Sequence, residues 1–139
     1  MKGAVGQGRR RAAGAGQALL ELALALPPLL MLVGAGLEFG LAVYARSQVE
    51  AAVREGARLG AVVWQDPAAD RQVRERTLAE VGRPPRAQLG EVQVSYPDGR
   101  VLGGRIQVAL SCSYVPALPP LAVAARSVPC GGTATMRLE

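Results

Sequence analysis

Histidine is missing from this chain altogether. The commonest general base and the commonest metal ligand of proteins therefore both drop out. Cysteine is scarce: Cys112 and Cys130 are the only two, too few for a structural zinc site without histidine or further cysteine. Aromatic residues make up 4% of a sequence that is 50% hydrophobic. Small aliphatics carry the apolar mass, which suits a lipid-facing helix better than a large aromatic core. No glycine-rich phosphate loop occurs, and Gly103-Gly104 reads as a turn. Ser111 and Ser113 have no base nearby, and Glu50 and Glu55 lie five apart, on diverging sides of a helix. The sequence thus offers no catalytic residue, no cofactor-binding residue and no metal ligand set, and it reads as a protein that is not an enzyme.

What charge there is sits unevenly. The net charge is +5, and a basic balance invites a nucleic-acid reading. Yet Lys2, Arg9, Arg10 and Arg11 supply +4 with no acid before Glu21, so residues 17–139 carry 5 − 4 = +1. The basicity is mostly one short tail, and the other arginines mix with acids, so no nucleic-acid partner is expected. Residues 1–16 are Gly, Ala and Arg without apolar periodicity, a leader or disordered tail. Residues 17–45 are then almost wholly apolar, interrupted only by Glu21 and Glu38. As a helix they rise about 43 Å at 1.5 Å per residue, enough to cross a hydrocarbon core about 30 Å thick with some tilt. The lipid bilayer is the implied partner, with a single pass, the basic N-terminus in the cytoplasm and the C-terminal domain outside. Pro27 and Pro28 fall inside the span, and a kink is expected near them. Gly34, Gly36 and Gly40 give a narrow face that another helix could approach closely.

Beyond the span, residues 46–64 should continue the helix outside the lipid. Val49, Val53, Gly56, Gly60 and Val63 recur at helical spacing, and Glu50 and Arg54 stand four apart in the order that favours a surface pair. Residues 65–87 hold a short second helix and a linker. Asp66-Pro67 reads as a cap followed by proline at the first helical position, and Gly82 ends the helix. Residues 88–139 then change period. Val92, Val94 and Tyr96 alternate, as do Ile106, Val108, Leu110, Cys112 and Tyr114, with Pro97-Asp98-Gly99 as the turn between. A Pro-rich loop leads to a last alternation through Ala134, Met136 and Leu138. The expected architecture is α+β: a long N-terminal transmembrane helix with an amphipathic continuation, a short helix, and a small antiparallel sheet of about three strands. Two cysteines in a domain beyond a span suggest one disulfide, Cys112 to Cys130, and an oxidising compartment.

The junction of tail and span carries the most specific information. Gly16-Gln17-Ala18-Leu19-Leu20-Glu21 places a glycine just before the apolar run and a carboxylate five residues after it. This resembles the prepilin-peptidase processing site of type IV pilins and pseudopilins, in which the bond after the glycine is cut and the apolar segment stays on the mature protein. A carboxylate inside hydrocarbon costs about 2.5–3.5 kcal/mol on insertion scales. A freed α-amino group, with its pKa near 8, would offset that cost when it comes from a neighbouring subunit. The wider pattern is Gly16 to Ala23, Leu26-Pro27, Glu38-Phe39-Gly40 and Arg54-Glu55-Gly56-Ala57-Arg58, with the ending Thr133 to Glu139. It resembles the TadE-like family, pseudopilins of the tight-adherence pilus system. The resemblance covers residues 16–64 well and the last seven residues fairly. It implies a membrane-anchored pseudopilin or minor pilin acting in pilus assembly, adhesion or secretion. Implied partners are other pilin subunits, an inner-membrane assembly platform and a prepilin peptidase. Gly16 and Gln17 would be the processing site. Glu21 would be an assembly residue, and Glu38 either an assembly contact or an acid near the outer interface that reaches water. The alternative is a bitopic protein whose outer domain binds a ligand or envelope partner without processing or polymerisation.

Overall fold

Apolar spacing and polar punctuation sort this sequence into two helices and a sheet. A computed structural model describes the backbone of residues 5–118 and 126–139, with side chains from Gly16 onward. Helix α1 spans Val5–Val63 and α2 spans Ala69–Val81. Four antiparallel strand segments follow: β1 (Ala87–Ser95), β2 (Arg105–Tyr114), β3 (Val128–Pro129) and β4 (Gly132–Arg137). The α+β architecture and the small antiparallel sheet are those expected. The chain divides into two units, Met1–Leu37 and Glu38–Glu139.

In the first unit the helix begins at Val5, where a leader or disordered tail was expected, and it runs through Pro27 and Pro28 without a break in its assignment. Ala and Arg favour a helix there, while Gly6, Gly8, Gly14 and Gly16 oppose it. The apolar side chains of this unit face outward: Leu19, Leu24, Leu30, Leu32 and Leu37 are all exposed. A helix that is apolar all round and uncovered matches a membrane span, and this is the one described helix long and apolar enough to cross a bilayer.

In the second unit the rest of α1 lies against the sheet. Ala45, Val49, Ala52, Val53, Ala57 and Ala61 are buried, as are Val92, Ile106, Val108, Leu110 and Tyr114 from the strands. The buried helix positions recur at three and four residues, the stripe an amphipathic helix turns to a core. β2 is central. It pairs with β1 along one side (Val92↔Leu110, Val94↔Val108) and with β3 and β4 along the other (Tyr114↔Val128, Ala134↔Val108). The register slips between Leu89 and Val92, a bulge where Gly90 and Glu91 face Ser111. A side chain at Gly90 would run into the Ser111 hydroxyl, which is why glycine stands there. β4 holds most of the expected last alternation, while the two-residue β3 falls at the end of what the sequence reads as a Pro-rich loop.

Two local expectations shift. Asp66 does not cap α2, which starts at Ala69 after Ala68. Its Oδ1 accepts the Ala68 N–H at 2.7 Å and its Oδ2 accepts Gln72 Nε2 at 2.7 Å. The side chain thus closes a turn one step ahead of the helix. Glu50 pairs backward with Arg46, 2.8 Å away, rather than with Arg54. Gly82, in the left-handed region at φ 62°, ends α2 as expected.

Candidate functional site

The most constrained polar cluster in the second unit is built around Glu38. α1 carries this carboxylate about two turns before the buried stripe begins at Ala45, and its side chain is only 8% exposed. Tyr114 donates its hydroxyl to Oε2 at 2.6 Å, Arg86 donates Nη1 to Oε1 at 2.8 Å, and the Ala117 backbone N–H donates to Oε1 at 3.1 Å. A buried carboxylate is costly unless paired and hydrogen-bonded; here both oxygens are served, one of them by a cation.

Local structure explains why these three donors meet. Tyr114 is the last residue of β2 and continues the inward alternation of Leu110 and Cys112. Arg86 immediately precedes β1, and its carbonyl accepts the Val115 N–H at 3.1 Å. That bond joins the strand's entrance to its neighbour's exit, so Arg86, Tyr114 and Ala117 lie together. Arg86 takes φ 59° and is the only non-glycine residue there among the described ones. A left-handed conformation costs a non-glycine residue roughly 1–3 kcal/mol. Glycine would relieve that strain but would remove the guanidinium that Glu38 needs. Burial pushes the Tyr114 hydroxyl's pKa up, and the carboxylate it donates to pushes it further.

Cys112 and Cys130 form the expected disulfide, with Cα atoms 4.8 Å apart and a sequence separation of 18. The Cys130 N–H donates to the Cys112 carbonyl at 2.9 Å. The bridge fixes β3 beside the end of β2, two residues from Tyr114. Closing a loop of this length contributes about 3 kcal/mol in the chain-entropy picture.

The other sequence-derived positions fall in the first unit. Gly16 and Gln17 are helical and exposed. Glu21 Oε1 accepts Gln17 Nε2 at 3.1 Å, a pair one turn apart. A side chain at Gly36 or Gly40 would meet nothing within 4 Å. Sequence reasoning singled out Glu38 but not its partners. Arg86 falls in residues 65–87, which the sequence reads only as a short helix and linker, and Tyr114 reads only as a strand position. The available signal is a pair of arginines, Arg83 and Arg86, flanking two prolines, with a buried acid elsewhere in want of a counter-charge.

Residues 16–58 match the family model described as TadE-like protein. No curated protein matches the chain, and no solved structure does. The matched segment takes in Gly16, Glu21, the apolar run, Glu38 and Gly56 of the buried stripe. The motif resemblance and the family model therefore fall on the same stretch of α1, and through that stretch the chain is similar to the TadE-like family of pilus-associated membrane proteins.

Proposed function

We propose that this protein is a membrane-anchored pseudopilin or minor pilin of a tight-adherence-type pilus or a related secretion apparatus. The observation that carries the reading is the coincidence, within one matched segment, of a Gly16-x₄-Glu21 junction and an uncovered apolar helix. On this reading a prepilin peptidase cuts between Gly16 and Gln17, and the apolar helix remains as the anchor. Glu21 then meets the new amine of a neighbouring subunit, in place of the Gln17 side chain that holds it here. Other pilin subunits and an inner-membrane platform are the partners. The Glu38 cluster, served within its own unit, holds the outer domain against the helix as it leaves the lipid.

N-terminal sequencing of membrane-purified protein and subunit crosslinking test the reading together. A start at Gln17 is expected. Glu21→Gln should leave insertion intact, because it removes a charge that opposes it, and should reduce crosslinking between subunits. Gly16→Leu should block cleavage and give a similar defect. An uncleaved wild type together with normal crosslinking by Glu21→Gln would favour a bitopic protein whose outer domain binds an envelope partner.

A further inference from the structure

Beside the Glu38 cluster, on the outward side of α1, an apolar groove of about 220 Å³ opens. Phe39, Ala42 and Val43 form its helix wall, and Pro116, Val128 and Pro129 face them. Its polar lining is Glu38 and Tyr114, bonded to each other, and Arg46 at the far end, whose Nε donates to Glu50 at 2.8 Å. From Phe39 to Arg46 the helix rises about 10 Å, comparable with the interfacial layer that lies between hydrocarbon and water on one side of a bilayer.

The geometry points to this groove as a binding site for a phospholipid of the outer leaflet of the cytoplasmic membrane, with the acyl chain along Phe39, Ala42 and Val43 and the phosphate at Arg46. The proposal rests on the reading of residues 17–45 as a span. Residues 38–45 are then its last two turns, so whatever packs beside them lies at the level of the leaflet. Three observations favour lipid as the occupant. Apolar side chains stand open to solvent on both walls: Phe39 is 71% exposed, Val43 49% and Val128 36%. In sequence, the groove's helix wall follows directly on the apolar run of residues 17–37. Arg46, exposed and shared with Glu50, ends a mainly apolar channel, matching a phosphate above an acyl chain; arginines at span ends characteristically reach the headgroup layer this way. In sequence, the residues that link Leu118 to Arg126 carry no charge at all.

Tryptophan quenching in lipid nanodiscs holding one copy of the full chain tests this. Trp64→Phe removes the sole tryptophan, and single tryptophans are then placed by Val128→Trp, Thr135→Trp and Leu30→Trp. Phosphatidylcholine brominated near the headgroup should take most of the emission of Val128→Trp, and lipid brominated near the bilayer centre should take less. Leu30→Trp should show the reverse order, and Thr135→Trp, on the opposite face of the sheet, should lose nothing to either. If Leu30→Trp is quenched and Val128→Trp is not, the span stands and the lipid site is wrong. If neither is quenched, the span reading falls and the site with it. Protection of Val128→Trp that appears only on adding further copies to each disc would give the groove to a second subunit and overturn the proposal. Val43→Trp, on the groove's helix wall, provides the same readout should Val128→Trp fail to form the Cys112–Cys130 bridge.

Discussion

Glu38 shows how a single acid can set requirements on residues far along the chain. Its two oxygens are served unequally: Arg86 and Ala117 both donate to Oε1, while Tyr114 alone serves Oε2. Tyr114→Phe keeps the ring in the core and strips only that hydroxyl. A hydrogen bond to a charged group is worth about 1.5–3 kcal/mol, so the variant should lose that much stability, read as a lower urea midpoint with an unchanged slope for the detergent-solubilised chain. That an acid at position 38 needed donors was legible in the sequence. Which donors was not, because they lie 48, 76 and 79 residues further on and are brought in by strand pairing rather than local spacing. A second tyrosine offers a pH test. Tyr96 donates to Asp70 Oδ1 at 3.0 Å beneath the Arg100 guanidinium, and burial, with the Asp70 carboxylate second, pushes its pKa up to about 12. The folded state therefore holds this proton more tightly than the unfolded chain, whose tyrosine titrates near 10. Tyr96 thus contributes stability in full below about pH 10 and loses it as pH rises from there through about 12. Thermal unfolding followed across that range should show a falling midpoint, and Tyr96→Phe should make the fall shallower.

At the scale of elements, α1 comes close to its neighbours because its buried stripe contains glycine. A side chain at Gly56 would collide with the Thr77 hydroxyl on α2, and one at Gly60 with the end of Ile106 on β2. Thr77 is fully buried and its hydroxyl donates to the Val73 carbonyl at 2.8 Å, so it cannot turn aside without cost. Helix propensity alone favours Ala over Gly by about 1 kcal/mol, whereas overpacking a filled core costs about 1–3 kcal/mol. Gly56→Ala should therefore destabilise the protein in the wild-type background. In a Thr77→Ala background, where the colliding hydroxyl is gone, the same change should cost little or become stabilising. A double-mutant cycle in urea should return a coupling of about 0.5–3 kcal/mol; additive effects would mean that the two helices do not meet at this point. The stripe itself was plain from spacing, and so were the strands Val92 to Tyr96 and Ile106 to Tyr114. The start of α2 was misplaced because Asp66 spends both oxygens on a turn, a choice between two local uses of one side chain that composition does not decide. The Gly90-Glu91 bulge and the two-residue β3 depend on pairing with β2 and leave no period of their own.

For the molecule as a whole, two independent features support the proposal that the second unit lies outside the cytoplasm. Four cations, Lys2, Arg9, Arg10 and Arg11, precede the span, while the flank after it mixes Arg46, Arg54 and Arg58 with Glu50 and Glu55. The basic side of a span is retained in the cytoplasm. Separately, Cys112 and Cys130 are bridged, and a structural disulfide persists in an oxidising compartment rather than a reducing one. The two arguments share no residue, so a topology experiment tests both at once. Ser47→Cys places a thiol on an exposed position of α1 just past the span. Because the native cysteines are bonded, the introduced thiol should be the only one available. A membrane-impermeant maleimide added to cells with an intact cytoplasmic membrane should label one thiol per chain, and three after the disulfide is reduced, since reduction frees two more. The reverse orientation predicts no labelling until the cytoplasmic membrane is permeabilised, and then three thiols without added reductant. A single labelled thiol found only after permeabilisation would separate the two arguments: the disulfide would stand, and the charge asymmetry would have given the wrong side.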